Sequence, residues 1–175
     1  MLPDKYKYLE TETGPKMIVE AVKLYGTLEV PGEGDNPKIL AWAKEVDLAN
    51  TYTHDSIYWC GLFMAVVAKR AGKEVPFGPL WALNWSKFGV KVEDGAKLGD
   101  VLTFRRSGGG HVALYVGEDA DTYHVLGGNQ ADSVNITRIL KPRLHSIRRP
   151  VYNVQPVNVR KIFLGEDGII SENEK

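Results

Sequence analysis

The sequence is poor in cysteine, and this scarcity excludes a large class of folds. Among 175 residues there is one cysteine, Cys60, so no disulfide can form within the chain and a disulfide-stapled scaffold is excluded. A single thiol is typical of proteins made in a reducing cytoplasm. Cys-x-x-Cys and His-x-x-x-His spacings are also lacking, so the sequence predicts no metal site and no cofactor.

Net charge and long apolar runs are lacking as well. Lysine plus arginine and aspartate plus glutamate number 22 each, so no overall field attracts a nucleic acid or an anionic membrane surface. No stretch approaches the roughly 18 apolar residues of a membrane-spanning helix, and the first residues lack the apolar core of a signal peptide. We therefore expect no nucleic-acid partner, no membrane insertion, and synthesis in the cytoplasm without a signal peptide.

The hydrophobic residues of the chain suffice for one hydrophobic core. Hydrophobic residues make up 43% of the chain and charged residues 25%, which is ordinary for a globular domain of this length. We interpret residues 1–175 as a single domain and expect a monomer. Within it, 1–13 are predicted to be a loosely held arm, 14–164 the folded body and 165–175 a polar, frayed C-terminal tail.

Helical patterns fill the first part of the chain and strand patterns the second. Apolar residues recur at helical spacing in three segments, 14–26, 36–46 and 60–72, each of which begins or ends at a glycine, proline or asparagine. A shorter helix is predicted at 80–88. Alternation then predicts five strands: 99–104, 111–116, 123–126, 133–140 and 146–154. This order predicts an α+β fold in which N-terminal helices pack on a C-terminal antiparallel sheet.

The single cysteine stands where a polar segment gives way to an apolar helical run. Residues 51–56 show no periodicity, whereas the run after Cys60 is almost continuously apolar. Unpaired N–H groups and the positive end of the helix dipole favour a thiolate at a helix N-terminus. Cys60 is therefore a candidate nucleophile, although a lone cysteine is also an ordinary small core residue.

A histidine and an amide stand at the ends of two consecutive predicted strands. His111 follows three glycines, which leave the approach to its ring open, and the next strand ends in Gly-Gly-Asn129-Gln130. If these strands form a hairpin, Asn129 lies near His111. A histidine can take the proton of a thiol while an amide oxygen holds its other ring nitrogen, and N–H groups at the helix start, including that of Cys60, can form an oxyanion hole.

Four segments, in this order, resemble the successive motifs of CHAP-type cysteine peptidases (cysteine, histidine-dependent amidohydrolases/peptidases). They are Trp-Cys-Gly-Leu-Phe at 59–63, Leu-Gly-Asp-Val-Leu-Thr-Phe at 98–104, Gly-His-Val-Ala-Leu-Tyr-Val-Gly at 110–117 and Gly-Gly-Asn-Gln at 127–130. The family is related to NlpC-type wall hydrolases and, more distantly, to papain. The resemblance covers roughly residues 15–140 and is greatest to the small branch found in phage lysis proteins and bacterial wall enzymes.

The resemblance implies a papain-like fold with the nucleophile at a helix N-terminus and cleavage of an amide bond in peptidoglycan. Cys60 would be the nucleophile, His111 the base and Asn129 the residue that orients the base. Many family members carry a glutamate two positions before that asparagine, where this chain has Gly127. Gln130 is therefore a rival for the third role.

The resemblance leaves the scissile bond and the setting open. An N-acetylmuramoyl-L-alanine amidase and a peptidoglycan endopeptidase that cuts the stem peptide or crossbridge would use the same residues. As a phage lysis or bacterial wall-remodelling enzyme, the protein would act on the bacterial cell wall after release or delivery. The alternative is a catalytically silent wall-binding or phage structural module on the same fold.

Three further residues near the cysteine are candidates for the site. His54, Asp55 and Tyr58 could line the substrate site or supply an oxyanion donor, and a capping or turn role is the alternative for each. A zinc site that adds His124 to His54, His111 and Cys60 is disfavoured because the ligand spacing is missing.

Overall fold

The chain folds around a six-stranded antiparallel sheet. In this computed structural model, which describes residues 1–174, the strands are β1 (Val90–Lys91), β2 (Val101–Arg106), β3 (Gly109–Glu118), β4 (Thr122–Gln130), β5 (Ser133–Leu140) and β6 (Leu144–Arg149). Their order across the sheet is β1-β6-β2-β3-β4-β5. The coarse prediction of an α+β fold with an antiparallel sheet is therefore confirmed.

Three α-helices precede the main strands. They are α1 (Lys16–Val22), α2 (Pro37–Glu45) and α3 (Cys60–Arg70), and short 3₁₀ helices cover Asp4–Glu10, Ala82–Lys87 and Lys141–Arg143. The α3 helix packs on β3 and β4 as well as on α1 and α2. Within residues 1–174, no helix has the length and apolar character needed to cross a bilayer.

The helix that carries Cys60 is the centre of the main core. Each residue from Cys60 to Ala68 is buried, as expected for a helix that is apolar on all sides. Trp42 of α2 packs against this region, with ring centroids 6.0 Å from Trp59 and 6.3 Å from Phe63. The position of the thiol is thus set by packing on several sides of one helix.

The other face of the sheet is buried too. Alternate residues of β2 and β3 that point away from α3, among them Phe104 and Tyr115, form a second apolar cluster with Ala96 and Ile147. Beside it, the buried carboxylate of Asp119 accepts hydrogen bonds or ion pairs from several groups on neighbouring strands. The sheet that carries the candidate base is therefore fixed from both faces.

The prediction that residues 1–13 are a loosely held arm is wrong. The 3₁₀ helix over Asp4–Glu10 buries Leu2, Tyr6 and Leu9, and the Tyr6 hydroxyl lies 2.7 Å from Nδ1 of His124 in β4. These apolar residues are four and three positions apart, which is a helical spacing. The polar residues between them hide the pattern in a segment this short.

The described part of the predicted tail is also not frayed. Residue 170 forms a parallel bridge with Arg138 of the sheet, and Glu174 is only 2% exposed. The polar composition that indicated a frayed end belongs instead to a segment held by hydrogen bonds and ion pairs.

Close backbone approach brings the start of α3 onto β4. A Cβ at Gly128 would lie 2.6 Å from the Cβ of Phe63 and 2.8 Å from the ring of Trp59. A Cβ at Gly61 would lie 2.1 Å from the carbonyl oxygen of Pro79. Glycine is therefore required at these positions by space, since real side chains do not approach so closely.

We expect the substitution Gly128→Ala to lower the free energy of unfolding by roughly 2 kcal/mol or more, because the added methyl group has to push α3 away from β4. Chemical denaturation would measure the change. Gly109→Ala is the matched control, since its Cβ would meet nothing within 4 Å, and its effect should stay within about 0.5 kcal/mol. Equal effects for the two variants would contradict this packing argument.

Candidate active site

Cys60 is the first residue of α3 and is 5% exposed. The helix has no side-chain cap of its own at Trp59. Instead, the Trp59 N–H donates to Oδ1 of Asn129 at 3.2 Å, so a residue of β4 satisfies a group at the helix start. Asn129 adopts a left-handed backbone with φ 57°, which asparagine tolerates better than most residues do.

His111 lies on β3 and is fully buried. Its Nε2 is 2.9 Å from Oε1 of Gln130. The Gln130 amide nitrogen donates to the carbonyl oxygen of Asn135 at 2.8 Å and to its side-chain oxygen at 2.9 Å. Since these bonds use the amide donors, the amide oxygen faces the ring and accepts, and neutral His111 carries its proton on Nε2.

The other ring nitrogen of His111 is left available. Within residues 1–174, its buried Nδ1 has no hydrogen-bond partner. Because Nε2 carries the proton, Nδ1 presents a lone pair. A buried nitrogen in this state can accept a proton from a neighbouring acid, which is what a general base does.

The thiol lies beside the strand at this histidine. The α3 helix packs on β3, and Val112, the residue after His111, has its backbone N–H close enough to lower the pKa of the Cys60 thiol. Burial nevertheless dominates and raises that pKa above its ordinary value, with the N–H groups of Val112, Gly61 and Cys60 opposing it. The same N–H groups are candidates for stabilising an oxyanion.

Burial acts on the histidine in the opposite sense. It lowers the pKa of His111 to about 4, while the charge of Glu174 and the hydrogen bond that the ring donates to Gln130 oppose the shift. At neutral pH the thiol and the imidazole are therefore both neutral, since burial disfavours the charged form of each group. This arrangement favours proton transfer during attack on a substrate over a preformed ion pair.

The structure separates Asn129 from Gln130. Gln130 contacts the imidazole, whereas Asn129 contacts the Trp59 N–H and, at 3.4 Å, the carboxylate of Glu29. The pairing of β4 with β5 shifts register between Gly127 and Gln130, so simple alternation does not assign the faces here. The geometry favours Gln130 as the orienting residue and gives Asn129 a place at the helix start.

Gly127 explains how the Gln130 side chain reaches the ring. A Cβ at Gly127 would lie 2.7 Å from Oε1 of Gln130 and 2.8 Å from the Cβ of Ala113. Any side chain at this position would therefore displace the amide that holds His111. The glycine at this position, where many CHAP-type peptidases carry a glutamate, therefore leaves the room that the contact between Gln130 and His111 needs.

His54 and Asp55 shape the loop before the candidate site. The His54 side chain is 66% exposed and lies 3.2 Å from Oδ2 of Asp35. The buried carboxylate of Asp55 accepts the backbone N–H groups of Val30 at 2.9 Å and Asn36 at 2.7 Å. These contacts give the pair turn-forming roles, and the alternative that they line the substrate site or supply an oxyanion donor stays a prediction.

Tyr58 lies at the rim of the site. Its side chain is 45% exposed, and the guanidinium of Arg106 lies 4.7 Å from its ring centroid. Arg106 also donates from Nε to the carbonyl oxygen of Gly110 at 3.2 Å. A cation thus bridges the segment before Cys60 and the residue before His111.

Three residues near the site are missed by sequence reasoning. Arg143 donates to both carboxylate oxygens of Glu174, at 2.8 and 2.6 Å, and Arg106 donates to Oδ1 of Asn173 at 2.9 Å. The sequence offers Arg143 only as part of a basic run and Glu174 only as part of a polar end. No local pattern signals an ion pair between residues 31 positions apart.

The thiol is covered, since Cys60 is only 5% exposed. A cavity of about 690 Å³ lies between the end of α3 and the segment at 151–153, and Cys60 and His111 do not line it. Among residues 1–174, no cluster of three or more histidine, cysteine, aspartate or glutamate side chains is arranged to hold a metal ion. The candidate site is therefore a covered thiol and imidazole.

The sequence matches no protein-family model and no curated protein significantly. The resemblance to CHAP-type peptidases consequently stays an expectation from the motifs, and the geometry of Cys60, His111 and Gln130 has to carry the functional argument.

We expect NMR of ¹⁵N-labelled imidazoles to find neutral His111 protonated on Nε2 and titrating near pH 4. Because this folded-state pKa lies below the ordinary value, the neutral ring contributes stability that is complete above about pH 6.5 and is lost as the pH falls toward 4. Gln130→Met should perturb the Nε2 resonance, whereas Asn129→Ala should leave it unchanged. A proton on Nδ1 of the neutral ring would contradict the assignment.

Proposed function

We propose that the protein is a thiol-dependent peptidoglycan hydrolase that cleaves an amide or peptide bond. One observation carries the proposal: the thiol of Cys60 lies at the backbone N–H of Val112, the residue that follows a buried imidazole, His111, whose Nε2 is held by Gln130 and whose Nδ1 is unpartnered within residues 1–174. The motifs that resemble CHAP-type peptidases supply the substrate class. A helix start that bears the thiol, packed on a strand that bears the base, agrees with a papain-like arrangement.

The first half of the reaction forms a thioester. Nδ1 of His111 takes the thiol proton as the sulfur of Cys60 attacks the carbonyl carbon of the scissile amide. The carbonyl oxygen becomes an oxyanion, which the N–H groups at the start of α3 and on Val112 can stabilise. When the oxyanion collapses, the C–N bond breaks and the imidazolium gives its proton to the leaving amine.

The second half restores the enzyme. Water gives a proton to Nδ1 of His111 while its oxygen attacks the thioester carbon, and the C–S bond of the new tetrahedral intermediate then breaks. A carboxylic acid leaves, and the imidazolium of His111 returns its proton to the sulfur of Cys60. One water molecule is consumed, and one amine and one carboxylic acid are produced.

Gln130 and Asn129 act as positioning residues. The amide oxygen of Gln130 fixes the Nε2–H tautomer and favours the imidazolium that forms during attack. Asn129 holds the N–H of Trp59 and so fixes the start of the helix that carries the nucleophile. These roles differ from the single third residue implied by the resemblance.

A silent wall-binding or phage structural module is the second candidate. The observation that favours it is burial, because the thiol is 5% exposed and the imidazole 0%. A substrate reaches the sulfur only after part of the chain moves. Binding to purified walls without release of new amino groups would favour this candidate over hydrolysis.

We expect the purified protein to release new amino groups from peptidoglycan, and Cys60→Ser and His111→Ala to lower the rate by at least about 10³-fold, because each removes a group that forms or breaks a bond. His145→Ala is the matched control, since His145 is exposed on β6, and it should keep wild-type activity. Mass spectrometry of the fragments would separate an amidase from an endopeptidase.

Full activity of the Cys60→Ser variant would overturn the thiol mechanism. Circular dichroism and thermal unfolding of each variant would verify that a lost rate does not reflect a lost fold.

A further inference from the structure

A short piece of the chain is held near the candidate base, because Arg106 contacts both Asn173 and the carbonyl oxygen of Gly110, the residue before His111. We call residues 171–174 the closing segment. Its Ser171 carbonyl oxygen accepts from Nη1 of Arg143 at 3.0 Å, and its Asn173 side chain accepts from Nη1 of Arg106 at 2.9 Å. Two arginines that belong to the sheet region thus hold the segment from different sides.

The strongest contact of the closing segment is an ion pair at Glu174. Both carboxylate oxygens of Glu174 accept from the Arg143 guanidinium, at 2.8 and 2.6 Å, which is the planar two-bond geometry that arginine forms with carboxylates. The Glu174 side chain is 0% exposed and that of Arg143 18%. Although burial alone would raise the pKa of Glu174, the pairing with Arg143 holds it below its ordinary value.

Both arginines are anchored to the backbone next to the candidate base. Arg143 donates from Nε to the carbonyl oxygen of Arg105 at 3.2 Å, and Arg105 pairs across the sheet with Gly110. Arg106 donates to the carbonyl oxygen of Gly110 itself at 3.2 Å. The guanidinium groups therefore lie at the end of the sheet where β3 begins, two residues before His111.

We propose that Arg143, with Arg106 beside it, is a subsite for a carboxylate of the substrate, and that Glu174 occupies this subsite while the site is closed. The ligand class is a peptide amide that carries a free carboxylate near the scissile bond. The proposal rests on the proposed function for the identity of that amide as peptidoglycan, whose stem peptides bear such carboxylates.

The burial of the site supports an exchange between the closing segment and a substrate. With Cys60 5% and His111 0% exposed, a carbonyl carbon reaches the sulfur only if covering residues leave. Departure of the closing segment strips Arg143 of its carboxylate partner. A partly buried guanidinium without an anion is unfavourable in free energy. A carboxylate of the substrate therefore takes the place of the Glu174 carboxylate at Arg143.

The Cys60 thiol is also less reactive in the covered state. Burial is the main cause that raises the pKa of the Cys60 thiol, and the thiolate is the reactive form. On this proposal, departure of the closing segment lets water reach the sulfur and weakens that effect. Opening therefore exposes the thiol, makes it more acidic and frees the carboxylate subsite in one movement.

Alkylation of the single cysteine tests the closure without any wall substrate. Because the chain has one thiol, mass spectrometry follows its reaction with neutral iodoacetamide and with iodoacetate, which carries a carboxylate. Glu174→Gln removes the charge, and Glu172→Gln is the matched control because Glu172 is exposed in the same segment.

We expect Glu174→Gln to raise the alkylation rate roughly tenfold or more, as loss of a charge-assisted hydrogen bond predicts, and Glu172→Gln to react like the wild type. The gain should be larger for iodoacetate than for iodoacetamide, and adding Arg143→Gln should remove that excess. An unchanged rate in Glu174→Gln would overturn the closure. Equal gains for the two reagents would overturn the carboxylate subsite.

A second experiment links the subsite to hydrolysis. Peptidoglycan whose carboxylates have been converted to amides with carbodiimide and ammonia is compared with untreated peptidoglycan. We expect kcat/KM of the wild type and of Glu174→Gln to fall at least fivefold on the amidated wall, as loss of a charged hydrogen bond predicts, and Arg143→Gln to discriminate little. Equal kcat/KM on the two walls would overturn the subsite. If no variant releases amino groups while the alkylation pattern holds, the proposed hydrolase fails and the carboxylate subsite stands.

Discussion

The candidate site depends on the close contact between the start of α3 and β4. Space for this contact exists because Gly128 has no side chain, since a Cβ there would lie 2.6 Å from that of Phe63. The next residue, Asn129, then reaches the N–H of Trp59, and the one after it, Gln130, reaches His111. Three consecutive residues thus determine how closely α3 packs on β4, how its N-terminus is capped and how the His111 ring is oriented. A change in this contact alters all three together.

The same packing determines the electrostatics. Enclosing Cys60 and His111 raises the pKa of the thiol and lowers that of the imidazole, so the closed site holds no thiolate or imidazolium. The pieces that would support charge are nevertheless in place, namely N–H groups around the sulfur and an amide oxygen at Nε2. Such preorganised dipoles act on charge that develops during a reaction. In the proposed hydrolysis these dipoles would stabilise charge that the resting state avoids.

The sequence predicts the parts of this arrangement that local patterns encode. The α3 helix and the main strands follow from periodicity, and Cys60 and His111 stand out because a lone thiol and a glycine-flanked histidine are local features. The choice between Asn129 and Gln130 escapes alternation because the register shift after Gly127 changes which face each side chain takes. The pairing of Arg143 with Glu174 escapes because it is set by how the chain returns to the sheet after β6, which no motif encodes.

The orienting group itself illustrates how one absent side chain changes the chemistry of a neighbour. Gly127 leaves the room that the Gln130 amide occupies, 2.7 Å from where a Cβ would stand. A neutral amide oxygen accepts from Nε2 without adding negative charge, so it fixes the tautomer but supports the imidazolium less than a carboxylate would. Burial therefore keeps the pKa of His111 near 4, even though the charge of Glu174 and the hydrogen bond to Gln130 act to raise it. Gln130 thus fixes the tautomer of His111 in both states of the site. Glu174 favours the charged form of the ring only while the site is closed, because it leaves when the site opens.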